Sequence, residues 1–390
     1  MRKKGGPDCF SIRHILEIAS AFLKCGGNKI RLTGGEPTMR RDFSELLQQI
    51  GKLPGLETLA VTTNGIRLLR LCDVFKRAGV NAVNVSLDTM KKERYQMLTG
   101  VNGFATVWKG LMHLIAADIC LVKLNVVLLR GFNDDEILDF VQLTQELPVH
   151  VRFIEFMPFQ GNNWEKQLVV SKEEILRELR RCHPHLRQLP QTFSQQQQAA
   201  KEGTEEAAAA GGTRVAAAAA QGSVAAAAKE ERAAEGGVAG AAVHAPAGTA
   251  AIAAAGAAEA AAAFAGANET ATLYYVPGYK GCVGIVAAVT DIFCSSCNRL
   301  RVTADGKVKN CLFSKEEFDL LPSLSGAPAG DLHLSERQMT QQKEKQMQQR
   351  QRRLEEIFKK AVLAKMAVQG GCNDIAKEAH LNRPMIRIGG

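Results

Sequence analysis

Residues 29–157 exchange strand pattern for helix pattern several times over, and few folds accommodate that rhythm. Short runs rich in branched residues stand at Lys29–Leu32 (KIRL), Thr58–Thr63 (TLAVTT), Ala82–Asp88 (AVNVSLD), Leu121–Leu129 (LVKLNVVLL) and His150–Met157 (HVRFIEFM). Between them lie DFSELLQQIGKL, RLLRLCDVFKRAG (closed by Gly79), FATVWKGLMHLIAAD and DEILDFVQLTQEL, whose apolar residues recur at helical spacing. Such alternation predicts a parallel sheet with covering helices, as a barrel or as an open doubly wound sheet. A further amphipathic segment, SIRHILEIASAFLKCG, comes before the first strand. In a βα repeat that helix should follow a strand and pack on the sheet. The chain is therefore expected to lack one strand and its functional loop at the N-terminus.

The strand ends carry the first functional signal. Thr33-Gly34-Gly35-Glu36, Thr62-Thr63-Asn64, Ser86-Leu87-Asp88 and Glu155-Phe156-Met157 fall at or just after successive strand C-termini. In βα barrels that face builds the active site. One such loop would be an ordinary turn. Four on one face, with Gly-Gly permitting close backbone approach, point to a small-molecule site.

Composition narrows the partners. From about residue 191 to 271 the chain is dominated by alanine, with almost no aromatic or branched anchor, so this segment is expected to be a disordered or intermittently helical insertion. The net charge of +9 suits nucleic acid, an anionic nucleotide or a membrane surface, without separating them. QQKEKQMQQRQRRLEE reads as a solvated helical face. Outside the alanine tract no run of eighteen apolar residues occurs, so no membrane span is expected, and the opening MRKKGGP shows no apolar signal region. Ten cysteines in a chain of 390 residues fit reduced thiols plus a metal site better than a disulfide scaffold.

Three of those cysteines, in FCSSCNRLRVTADGKVKNC, have ligand spacing: Cys294 and Cys297 form C-x-x-C, and Cys311 follows after thirteen intervening residues. Structural zinc sites close with four protein ligands. The spacing alone leaves two readings: a zinc knuckle completed by a histidine or a further cysteine such as Cys282, or a centre with one position open to something else.

KIRLTGGEPTMRRDF, FCSSCNRLRVTADGKVKNCLF and the terminal RPMIRIGG together resemble the MoaA-type GTP 3',8-cyclases, radical S-adenosylmethionine enzymes of molybdenum cofactor biosynthesis. The resemblance covers residues 10–190, 272–315 and the last thirty, and skips the alanine-rich tract. It implies an α/β fold: an incomplete (βα)6 TIM-type barrel, here lacking its first strand, plus a C-terminal iron–sulfur domain. Residues 1–190 would be the partial barrel, 191–271 the insertion, and 272–390 the cluster and GTP-binding domain. It also implies that Cys294, Cys297 and Cys311 hold a 4Fe–4S cluster whose open iron faces the purine of GTP; with NRLR attached, the zinc reading is disfavoured. Arg31, Thr62, Lys123, Arg299, Leu300 and Arg301 are similar to GTP-binding positions, and Gly35, Ser86 and Met157 to positions that bind S-adenosylmethionine. Gly389 and Gly390 resemble the family's active-site tail. A lysine inside a buried strand, as at Lys123, independently favours an anion. Taken singly, Ser86 could satisfy a strand-end amide, Met157 could fill the core, and Thr62 could cap a helix.

The reaction implied is the first step of the pathway: a 5'-deoxyadenosyl radical takes hydrogen from C3' of GTP, and C3' then attacks C8. The family also carries C-x-x-x-C-x-x-C for a second cluster that cleaves S-adenosylmethionine, and no such triplet occurs in this chain. An incomplete gene model, inactive as written, is the preferred reading, and that second cluster is expected only in the intact protein. A catalytically inactive nucleotide-binding relative retaining one cluster is the alternative. The implied partners are GTP, a second copy as a homodimer and the next enzyme of the pathway, with no nucleic acid and no membrane. The compartment would be mitochondrial in a eukaryotic source and cytoplasmic otherwise.

Overall fold

Five parallel strands appear where the sequence places them: β1 (Lys29–Leu32), β2 (Thr58–Thr63), β3 (Ala82–Ser86), β4 (Leu121–Leu128) and β5 (Val149–Glu155). They come from a computed structural model that describes residues 10–189, 270–291, 297–324, 336–365 and Lys377. The alanine-rich tract, Cys294, Gly389 and Gly390 lie outside the described residues. Each of the five strands pairs in parallel with the next.

Helices α1 (Ile12–Lys24), α2 (Phe43–Gly51), α3 (Leu68–Ala78), α4 (Lys92–Thr99), α5 (Phe104–Ala116), α6 (Ile137–Glu146) and α7 (Lys172–Cys182) supply the covering layer. In α3, Leu68, Leu71, Cys72, Phe75 and Ala78 recur on one face and are buried. The helix stops at Gly79, whose φ of 68° is left-handed and suits a residue without Cβ. In α7 the start is a capping box: Ser171 Oγ accepts from the Glu174 amide at 3.3 Å, and Glu174 Oε2 accepts from the Ser171 amide at 2.9 Å. One core unites these helices with one sheet face, including Val61, Val83, Leu124, Val151 and Phe153. Each such fully buried side chain contributes on the order of 1.5–3 kcal/mol.

The sheet does not end at β5. After the alanine-rich tract, β8 (Cys282–Val286) pairs in parallel with β5 and β7 (Thr272–Tyr275) runs antiparallel to β8, while β6 (Arg187–Gln188), just before the tract, runs antiparallel to β7. The order across the eight strands is β1-β2-β3-β4-β5-β8-β7-β6. The tract thus joins the two neighbouring strands of a hairpin, and the Leu189 amide still donates to the Leu273 carbonyl at 2.9 Å.

The remaining described elements are the small sheet of β9 (Arg301–Val302), β10 (Lys307–Lys309) and β11 (Phe318–Asp319), then α8 (Leu321–Leu324) and the long α9 (Glu336–Leu363). Here the structure corrects the expectation that α1 needs only a sheet. Ile18 and Ala21 of α1 share a second core with Val308, Leu320, Leu354, Phe358 and Ala361. The Phe22 and Phe358 rings meet edge to face at 5.8 Å. Ile12, Ile15 and Leu16 still reach the main core. In this way α1 bridges the first βα units and the C-terminal elements. Among the described residues no helix is long and apolar enough to cross a membrane.

Candidate functional site

Residues two apart on a strand share a face, and the parallel register extends each rung across the sheet. On the face away from the main core, Thr62, Asn84, Lys123, His150 and Cys282 stand side by side from β2 to β8. The next rung toward the carboxyl ends holds Ser86, Asn125, Arg152 and Gly284. Arg31 lies on the same face, level with Ala60, one rung below Thr62. A sheet packed on both faces by helices would read as continuous apolar runs. This one largely alternates, and the middle of its second face carries a row of polar side chains.

That face is also enclosed. Thr62, Asn84, Lys123, His150 and Arg152 are buried, and Lys123 is only 4% exposed. Arg152 Nε donates to Asn125 Oδ1 at 3.0 Å. Asn84 Nδ2 donates to Thr62 Oγ1 at 3.4 Å, so Thr62 belongs to a sheet network and caps no helix. Asn84 Oδ1 is buried without a hydrogen-bond partner. At the β8 end the face turns apolar, where Cys282 packs with Leu189, Ala271, Leu273 and Val286. The fourth-ligand reading of Cys282 therefore meets a thiol buried in the sheet.

Carboxylates fasten the loops above these rungs. Glu36, in the Gly-Gly-Glu loop, accepts from the Thr38 amide, from Thr63 Oγ1 at 2.8 Å and from the Asn64 amide at 2.6 Å. It ties the first strand-end loop to the second. Gly34 has φ of 133°, which excludes a side chain on conformational grounds, and Gly35 beside it is exposed. Glu155, fully buried at the end of β5, accepts from the amides of Lys172, Val289 and Thr290 at 3.0, 2.8 and 2.8 Å, and from Thr290 Oγ1. Ser86 is exposed at the end of β3, and Met157 is half-buried. Beyond Met157, the ring of Phe159 stacks on Phe313 at 5.5 Å.

These last contacts bring in the cysteine segment. Glu155 holds Val289 and Thr290, a few residues before Cys294, and Phe313 lies two residues after Cys311. The loop that begins at β8 and contains the cysteines is therefore fastened to the carboxyl edge of the sheet at both ends. Cys297, Arg299, Leu300, Arg301 and Cys311 are all half-buried. Burial opposes ionisation of the Cys297 thiol, but a hydrogen bond from the Arg299 amide and the charges of Arg299 and Lys365 outweigh it, so its pKa falls below the ordinary thiol value. Burial lowers the Arg301 guanidinium to about 10, assisted by repulsion from Arg299 and opposed by the Cys297 and Cys311 thiols.

That donor set suits an iron–sulfur cluster, whose ligands are thiolates. Two cysteines of the spaced triplet sit in one electropositive loop, within electrostatic range of the same guanidinium. Among the described residues no three His, Cys, Asp or Glu side chains gather as a metal site, and Cys294 is outside them. Sequence reading placed Glu36 and Glu155 in the strand-end loops without giving them a role, and it missed Asn84, Asn125, Arg152 and Lys365. The period-2 alternation of AVNVS, VKLNVV and HVRF was the available signal for the asparagines and Arg152. No local pattern marked Lys365.

Comparison with known proteins agrees with this geometry. The Radical SAM superfamily model matches residues 2–144, and the Molybdenum Cofactor Synthesis C model matches residues 241–365. The two matches mark a radical SAM protein with a Molybdenum Cofactor Synthesis C region. The mitochondrial GTP 3',8-cyclase of Arabidopsis thaliana is 32% identical over 98% of this chain and 74% of its own length. The GTP 3',8-cyclase of Moorella thermoacetica is 34% identical over 84% of this chain and 79% of its own. Molybdenum cofactor biosynthesis protein 1 of Drosophila melanogaster is 35% identical over 78% of this chain, which spans only 41% of that longer relative. The chain belongs to the GTP 3',8-cyclase family.

Proposed function

We propose that this chain serves the cyclisation of GTP in molybdenum cofactor biosynthesis, as an incomplete (βα)6 barrel (residues 1–190), an inserted tract (191–271) and a C-terminal iron–sulfur region (272–390). The observation that carries the reading is the fastening of the Cys297–Cys311 loop, with its two arginines, to the carboxyl edge of a sheet whose second face is polar and basic.

GTP would lie between these surfaces. Lys123 and Thr62 would meet it from the sheet and Arg31 from β1, while Arg299 and Arg301 present guanidinium forks to phosphate or purine oxygens and Leu300 packs between them. A triphosphate offsets the cost of burying Lys123 in a strand. Gly35, Ser86 and Met157 would contact S-adenosylmethionine at the carboxyl ends of β1, β3 and β5. The stacked Phe159 and Phe313 close one side of the space against water. Gly389 and Gly390 would enter the site as its tail. Cys297 and Cys311, with Cys294, would hold a 4Fe–4S cluster that supplies, when bound, an open iron to orient the purine. The 390 residues contain no C-x-x-x-C-x-x-C, so no cysteine triplet of this chain fits the cluster that cleaves S-adenosylmethionine. In a eukaryotic source the proposed compartment is the mitochondrion. A homodimer that passes its product to the next enzyme completes the proposal.

The test is anaerobic GTP titration of the reconstituted chain, with iron content measured alongside. Arg299→Ala and Arg301→Ala should each weaken binding by about 1–3 kcal/mol, the range for hydrogen bonds to a charged partner. Unchanged affinity in both variants at full iron loading would refute the site. The missing triplet favours a second reading, a nucleotide-binding relative without turnover. GTP binding with no 5'-deoxyadenosine under dithionite, even after a strand carrying C-x-x-x-C-x-x-C is added upstream, would support that one.

A further inference from the structure

One ammonium group joins both arms of the cysteine loop. Lys365 Nζ, just past the end of α9, donates to the Arg299 carbonyl at 2.8 Å, to the Asn310 carbonyl at 3.1 Å and to Cys297 Sγ at 3.5 Å. A lysine ammonium has three donors, and this set uses all of them. The partners are placed with purpose: Arg299 lies two residues after Cys297, and Asn310 immediately precedes Cys311. The backbone that carries Lys365 is fixed in turn. Asn310 Nδ2 donates to the Ala364 carbonyl at 2.9 Å, and Leu354, Phe358 and Ala361 anchor the last turns of α9 in the second core.

Two carbonyls would suffice to tie the arms together. The third bond goes to sulfur, a weak acceptor as a thiol and a stronger one as a charged thiolate. Hydrogen bonds and charges around the ligating sulfurs are among the levers that set a cluster's reduction potential.

We propose that Lys365 is a positioning residue for the iron–sulfur cluster: it holds the Cys297 and Cys311 arms in register, and its N–H···S bond makes the bound cluster easier to reduce. The proposal rests on the assignment of a cluster to Cys294, Cys297 and Cys311. Reduction adds one electron and one negative charge to the cluster, and a fixed ammonium against a ligand sulfur favours that state. Removing the charge therefore lowers the midpoint potential, and removing the ties loosens the cluster.

The test uses the full chain, reconstituted anaerobically with iron and sulfide, as wild type, Lys365→Arg, Lys365→Gln and Lys365→Met. Iron content, the rate of iron loss to a chelator and a mediated redox titration followed by visible absorption and electron paramagnetic resonance are compared, with Cys297→Ala as the background. Lys365→Met should titrate at a more negative potential and lose iron several-fold faster, and Lys365→Arg should stay near wild type in potential. If Lys365→Met does not fold, Lys365→Gln replaces it, since it keeps a neutral donor and must also fall below Lys365→Arg. Equal potentials in the neutral and charged variants would overturn the proposal, even if their melting temperatures differ. A wild-type chain that takes up zinc and no iron would instead sink the cluster assignment beneath it.

Discussion

Deleting residues 199–267 tests whether the alanine-rich tract contributes to the folded protein. The strands on either side already pair: Gln188 lies opposite Tyr274 and Arg187 opposite Tyr275, and Leu189, Leu273 and Tyr274 are buried. The deleted stretch offers few core-forming side chains, chiefly Ile252, Phe264 and scattered valines among the alanines. The deletion shortens the connection between β6 and β7 from about 83 to about 14 residues, which lowers the closure cost by (3/2)RT ln of that ratio, about 1.6 kcal/mol. For a domain of this size that corresponds to a rise in melting temperature of about 3–6 °C. The assay is thermal unfolding followed by circular dichroism on the full and shortened chains, with GTP titration of both. GTP affinity should stay within twofold. A melting temperature lowered by several degrees, or loss of soluble protein, would refute the reasoning by showing that the tract packs on the ordered elements.

Other perturbations address the site and its support. Cys311→Ala should reduce iron after anaerobic reconstitution from about four per chain to below one, read by colorimetric iron assay, and unchanged iron would remove Cys311 from the ligand set. Glu155→Gln places an amide group among four donors and should cost about 2 kcal/mol in urea unfolding, because buried donors lose a charged acceptor; an unchanged midpoint would show that the clamp is idle. Burial raises the Asp88 carboxyl to about 6, against one hydrogen bond from the Val127 amide that lowers it. Between about pH 4 and pH 6 the folded state therefore keeps a proton that the unfolded chain has released, and stability falls as pH rises through that window. Asp88→Asn should abolish this group's contribution to the slope and be more stable at pH 7 by about 3 kcal/mol, measured by urea midpoints at pH 4.5 and 7. Parallel slopes in both proteins would refute it.

Local periodicity explains what was legible. β1 and β2 have the bounds read from KIRL and TLAVTT, and α3 ends at the Gly79 that its pattern requires. The long α9 was harder to read, because its core contacts, Leu354, Ile357, Phe358 and Ala361, gather toward its C-terminal end, while residues such as Met347 are exposed. β6, β7 and β8 were missed because β6 has two residues, and because the strands on either side of the tract are separated by a stretch with no pattern to relate them.

The sequence by itself determined the parallel α/β rhythm, the face of each strand that meets the helices, and the spacing of Cys294, Cys297 and Cys311. Each is a relation among residues near one another in the chain, where a side-chain period or a ligand interval can be counted. Only the tertiary structure decided that β8 extends the sheet, that α1 docks on α9, that Glu155 holds the start of the cysteine segment, and that Lys365 bridges Arg299, Asn310 and Cys297. Those pairings join residues more than fifty positions apart, so they leave no period in the chain. They form because burial of apolar faces brings the elements together first, and the polar groups enclosed with them must then find partners.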